Sequence, residues 1–146
     1  MAIRNIVTKG DDVLRKTCRT QLQFDDKLAT ILDDMRETMY KAEGVGLAAP
    51  QVGILRRFCI IDVGDGLIEL INPVIVETKG VQIGNEGCLS IPGESAEVER
   101  PNYVKVTAQD RFGNNIVVEG TELKARALCH EIDHLDGILY IDKVKR

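Results

Sequence analysis

The order of elements along this chain predicts an α+β fold, with antiparallel or mixed β-sheets packed around a helix that bears a His-Glu-x-x-His pattern. Three observations carry that expectation. An amphipathic helical stretch stands near the amino terminus, short apolar and β-branched runs fill the middle, and a second helical stretch containing His130-Glu131-Ile132-Asp133-His134 follows them. Strands grouped between two helices, without strand–helix alternation, argue for segregated layers rather than a βαβ repeat. With 146 residues, one domain covering 1–146 is expected, long enough to bury a core without disulfides.

The first helix is expected from about Asp25 to Glu43. Leu28, Ile31, Leu32, Met35 and Met39 recur at spacings of three and four, which places them on one face. Asp25 or Asp26 can cap its start, and Gly44 suits the position past its end. A shorter turn is expected around Asp12 to Lys16. Phe58 to Ile61, Ile68 to Ile71 and Val74 to Val76 read as strands, punctuated by Gly64-Asp65-Gly66 and Asn72-Pro73. Val104 to Thr107 alternates strictly, and Ile116 to Val118 follows after Gly113-Asn114, a hairpin-like turn. The second helix is expected from Thr121 to about Leu135, between Gly120 and Gly137.

Composition narrows the function. The net charge of −4 makes a general nucleic-acid surface a poor expectation, and DNA is not an expected partner. Three Phe, three Tyr and no Trp leave little for base stacking. No apolar run approaches the roughly 18 residues of a membrane span, and Met1 to Asn5 lacks a secretory layout, so no membrane partner is expected. Four scattered cysteines without a CxxC pair suit a reducing, cytoplasmic setting.

The second helix carries chemistry. His130 and His134 lie four residues apart, so both imidazoles can face one metal ion. Glu131 points beside them, where its carboxylate can meet a metal-bound water. A longer metalloprotease motif would place a third histidine at position 140, where this chain has Tyr140. The third ligand is therefore sought upstream, and Cys88 in Gly84-Asn85-Glu86-Gly87-Cys88-Leu89-Ser90-Ile91-Pro92 is the strongest candidate. Its glycines and proline suggest an exposed, tightly bent loop. Cys18, Cys59 and Cys129 are read as small buried hydrophobes, the ordinary state of a lone cysteine. Two imidazoles and a thiolate would leave an open fourth position, as catalytic sites do. A third segment, Gly44-Val45-Gly46-Leu47-Ala48-Ala49-Pro50-Gln51, would let a peptide backbone approach, and Gln51 could offer its amide to an oxyanion. An ordinary helix-to-strand turn with a surface Gln is the competing reading of that segment.

Taken together, Gly44 to Gln51, Glu86 to Ser90 and His130 to His134 resemble, in order, the three motifs of the peptide deformylases. That family removes the formyl group from new bacterial polypeptides. The resemblance implies Cys88, His130 and His134 as metal ligands, with water completing the shell. It implies Glu131 as general base and acid, and Gln51 with the Leu89 backbone N–H as oxyanion donors, while metal-activated hydroxide attacks the formyl carbon. An N-formyl-methionyl peptide is the implied substrate, and formate a product. The methionine side chain needs an apolar pocket, for which Val45, Gly46, Leu123 and Ala127 are the candidates; Leu123 and Ala127 share a helical face with His130 and His134. Fe(II) is the implied native ion, with Zn(II), Ni(II) or Co(II) as alternatives. Two departures stand out: Cys129 sits where many members carry glutamine, and many continue past the position of Arg146 into a helix linked in some to ribosome docking. A transient ribosome association is a further expectation. A zinc endopeptidase, a purely structural metal site and a catalytically retired family member acting as a binding module are the alternatives at this point, the last opposed by the intact Gln51, Cys88, Glu131 and both histidines.

Overall fold

Asp25 accepts the backbone N–H of Leu28 at 3.1 Å and so starts helix α1 (Asp26–Lys41). In the computed structural model, which describes residues 2–144, this helix ends two residues before the expected boundary. The left-handed residue that turns the chain away is Glu43 (φ 59°), and the Gly44 N–H closes the end on the Met39 carbonyl at 3.0 Å. Gly44 is needed for a different reason: a Cβ there would stand 2.7 Å from Leu89 Cδ1.

Seven strands follow: β1 (Gly46–Ala48), β2 (Phe58–Ile61), β3 (Ile68–Lys79), β4 (Gln82–Cys88), β5 (Ile91–Arg100), β6 (Tyr103–Gln109) and β7 (Asn115–Thr121). Five form an antiparallel sheet in the order β1-β2-β3-β6-β7, and β4-β5 make a separate antiparallel hairpin. Helix α2 (Glu122–Leu135) comes last, before a 3-10 turn at Tyr140–Lys143. The expected turn near Asp12 is a 3-10 turn at Asp12–Arg15.

The central strands explain their own composition. On β2, Phe58 and Ile60 pack with Leu28, Leu32, Met35 and Met39 of α1, while Cys59 and Ile61 pack with Ala125, Leu128 and Ile132 of α2. A strand covered on both faces has no polar alternation, which is why Phe58 to Ile61 reads as an unbroken apolar run. Strand β6 shows buried and half-buried residues in strict alternation.

Two expectations need correction. Asn72-Pro73 does not separate two strands; both lie within β3, at a register shift between Ile71 and Val74. Asparagine tolerates the left-handed backbone found there (φ 53°), and proline, lacking an N–H, fits where the ladder is interrupted. Asn72 Nδ2 also donates to Gln109 Oε1 at 2.8 Å, tying the bend to β6. The second correction concerns residues 84 to 92. The tight bend is there, at Leu89-Ser90, but residues 84–88 and 91–92 are strands of the β4-β5 hairpin rather than an exposed loop.

Candidate active site

Helix α2 places His130 and His134 one turn apart, and β4 ends at Cys88 beside them. His134 Nε2 lies 3.2 Å from His130 Nε2 and 3.3 Å from Cys88 Sγ. Among the described residues this is the one group of three such side chains whose ligand atoms all fall within 4.8 Å of one another. Two nitrogen ligands on a tetrahedral cation at about 2.1 Å would be about 3.4 Å apart, close to the spacing of the two imidazoles. A thiolate and two imidazoles also match the donors that divalent transition metals prefer. The residues present therefore fit a metal.

Tyr140 packs against the site. It is 2 % exposed and its ring stacks on His130 with centroids 6.1 Å apart. The imidazole is held on its other nitrogen as well, since His130 Nδ1 donates to Glu86 Oε1 at 2.7 Å, leaving Nε2 for a metal. Glu86 receives two bonds from Arg100, Nε to Oε2 at 2.9 Å and Nη2 to Oε1 at 2.7 Å, and one from Arg126 Nη1 to Oε2 at 2.6 Å. Arg100 Nη1 also donates to Asp133 Oδ2 at 2.6 Å. The sequence pattern did not pick out Glu86, Arg100, Arg126 or Asp133 as functional. The signal was present only in part: Glu86 stands two residues before Cys88 and Arg126 one turn before His130, but nothing in sequence ties Arg100 to them.

The charges follow from this packing. Burial alone would raise the Glu86 carboxyl, but Arg100 and His130 outweigh it and hold it down at about 2. Burial likewise opposes charge on His130, yet the Glu131 carboxylate, Cys88 and Glu86 reverse the effect and raise its pKa to about 10. Burial and the neighbouring His130 push His134 down to about 3. Glu131 is raised by burial to about 7. Its Oε1 is buried without a hydrogen-bond partner, as is His134 Nδ1. The other thiols are quiet: burial raises Cys18 and Cys129 to about 11, and Cys59 well above its usual value.

Gln51 is 1 % exposed and not a surface residue. Its Oε1 accepts the Ala48 N–H at 2.9 Å, and its Nε2 donates to Ser90 Oγ at 3.1 Å and points at Cys88 Sγ at 3.4 Å. The amide is therefore fixed with its donor toward the thiol. A cleft of about 420 Å³ opens over this group. Gln51, Cys88, Leu89, His130 and Glu131 line it, as do Val45, Gly46, Leu123 and Ala127, while His134 lies beneath. Val45 is 45 % exposed and Leu123 52 %, so apolar surface meets solvent on two sides of the cleft. Gly46 is required by close approach, because a Cβ there would overlap the Glu131 carboxylate.

The polypeptide deformylase family model matches residues 3–146. The chain belongs to that family. A peptide deformylase of Acetivibrio thermocellus is 62 % identical over 146 residues, covering all of this chain and 86 % of the relative. The crystal structure of a peptide deformylase from Thermotoga maritima superposes with a TM-score of 0.98 at 42 % identity, each chain fully covered. A peptide deformylase from Synechococcus elongatus, solved in complex with actinonin, superposes with a TM-score of 0.95 at 41 % identity over 98 % of this chain and 79 % of that one. The chain is accordingly a hydrolase that removes the N-formyl group from newly made polypeptides, and a member of a metalloenzyme family. Family membership sets aside the endopeptidase and structural-site alternatives. No helix among the described residues is long and apolar enough to cross a membrane.

Proposed function

We propose that deformylation takes place in this cleft, with Cys88, His130 and His134 holding the metal and Fe(II) as the native ion. The convergence of those three side chains beneath a cleft that also presents Glu131 and Gln51 is the observation that supports this reading most strongly. A divalent cation bound there supplies Lewis acidity and an acidified water near neutral pH. Zn(II), Ni(II) and Co(II) suit the same donors.

The protein's own groups do the rest. Glu131 takes the proton of the attacking water and gives it to the departing amine, the two directions of transfer that a positioned carboxyl group can serve. Gln51 Nε2, held by its own hydrogen bonds, and the Leu89 N–H donate to the formyl oxygen as negative charge grows on it. Val45, Leu123 and Ala127 offer apolar surface to the methionine side chain, and Gly46 leaves space for the peptide beside Glu131. The substrate class supports a cytoplasmic location and transient association with the ribosome, where such chains are made.

Formate release from formyl-Met-Ala peptides, with metal content measured on the same sample, tests the reading. Cys88→Ala is expected to lose metal and turnover together. Full metal content and turnover in that variant would overturn the ligand assignment.

A further inference from the structure

We infer that Arg126 is a positioning residue that sets the seat of the thiol-bearing hairpin against the histidine-bearing helix, an inference that rests on the metal-centre reading above. The two halves of the centre come from different elements: Cys88 ends β4, whereas His130 and His134 stand on α2. Strands β4 and β5 form their own two-stranded sheet, so no ladder to the larger sheet fixes their position.

The hairpin's buried apolar residues, Ile91 and Val98, pack with Leu14, Leu139 and Tyr140 and with no residue of α2. Along β4 the residues turned to α2 are Gln82, Gly84 and Glu86, and Glu86 is the buried one. Across from them on β5 stand Arg100, Val98 and Ala96. Hydrophobic burial is non-directional, and a face made of charge, amide and a gap leaves placement to directed bonds. Three of them come from one guanidinium, beside the Arg100–Asp133 pair and the bond from Gln82 Nε2 to the Glu122 carbonyl. Arg126 Nη1 donates to Glu86 Oε2 at 2.6 Å and to the Val98 carbonyl at 3.1 Å, and its Nη2 donates to Gln82 Oε1 at 3.3 Å. It grips both strands from a position one turn before His130.

Gly84 forms the slot. A Cβ there would lie 3.2 Å from Arg126 Nη2, tighter than ordinary contact, and its backbone is not in the left-handed region. A Cβ at this position would press the guanidinium by a few tenths of an ångström, so glycine gives it room here rather than making a turn. The carboxylate that Arg126 and Arg100 clamp together is also the one that accepts from His130 Nδ1, so the side chain that grips both strands also helps to orient the first imidazole. Outer-shell partners of this kind change metal affinity by roughly 10–100-fold.

The test uses the full chain loaded with Co(II), whose absorption includes a thiolate charge-transfer band. Wild type is expected to bind one Co(II) with that band, and Cys88→Ser to lose it. Without a band in wild type, the metal-centre reading falls and this inference with it. With the band present, Arg126→Met is expected to release cobalt to a chelator about 10–100-fold faster and to shift or weaken the band. Arg126→Lys keeps the charge without the fork and should fall between. Gly84→Ala should move both readouts the same way by a smaller factor, and it decides the matter if Arg126→Met does not fold. Wild-type release and an unmoved band in the variants that fold would overturn this inference alone. A lowered melting temperature with unchanged cobalt release would also overturn it, marking a residue that only supports the fold.

Discussion

The two helices cover opposite faces of the same strands, yet they are built from different materials. Helix α1 buries Leu28, Leu32, Met35 and Met39 against Phe58, Ile60 and Ile71, an apolar stripe on an apolar face. Helix α2 buries Leu128 and Ile132 on its sheet side, but also Arg126, His130, Glu131 and His134. The polar residues that α1 buries, Asp34 and Thr38, are few and paired, Asp34 with Arg4 and the Ala2 N–H. Helix α2 holds charges out of water, each of which is destabilising unless paired. The same sheet therefore separates a region optimised for packing from one organised for chemistry.

The sharpest way to break that contrast is to truncate one side chain from each helix. Glu131→Ala should lower formate release by about 10²–10⁴-fold, the usual size of a lost general base or acid, while metal content, read by elemental analysis, stays at the wild-type level. Leu32→Ala should do the reverse, lowering unfolding free energy by about 2–5 kcal/mol with kcat/KM preserved below the melting transition. If Leu32→Ala proves to damage turnover in the fully folded protein, the two faces are not independent.

A finer prediction concerns two glutamates that titrate in opposite directions. Glu86 is depressed to about 2 from an ordinary 4.5, so its stabilising contribution is complete above about 4.5 and disappears as pH falls toward 2. Glu131 is raised to about 7, so stability is lost as pH rises from 4.5 through 7. In metal-free protein at pH 8, Glu131→Gln should therefore raise unfolding free energy, on the order of 3 kcal/mol, although activity is gone. Denaturant melts at pH 5 and pH 8 check this: the gain should be much larger at pH 8, and an equal gain at both would show that burial does not shift this carboxyl. The smallest effect is expected far from either helix face. Arg15→Ala removes an exposed pair with Asp142 and should change stability by less than about 1 kcal/mol, with no change in formate release.

How much of this was legible in the sequence divides along the same line. The α1 stripe, the alternation of Val104 to Thr107 and the pair His130 and His134 are local, periodic signals, and each lies where the spacing put it. The hairpin was not legible because its inward face carries Gln82, Gly84 and Glu86, and a polar inward face erases the period of two by which strands are read. Without that strand, the bond from Arg100 to Glu86 has no sequence signature; it depends on register, with Gln82 opposite Arg100 and Glu86 opposite Ala96. Asn72-Pro73 misled in the other direction. Turn residues usually end a strand, but here they bend one.

The four cysteines are all free, and the fold has sorted them by reactivity. An alkylating reagent needs a reachable thiolate, and burial denies it Cys18, Cys59 and Cys129, leaving Cys88 half-buried in the lining of the cleft. Labelling stoichiometry would thus act as a built-in gauge: one equivalent incorporated when the sulfur is at liberty, none while it is engaged in coordination.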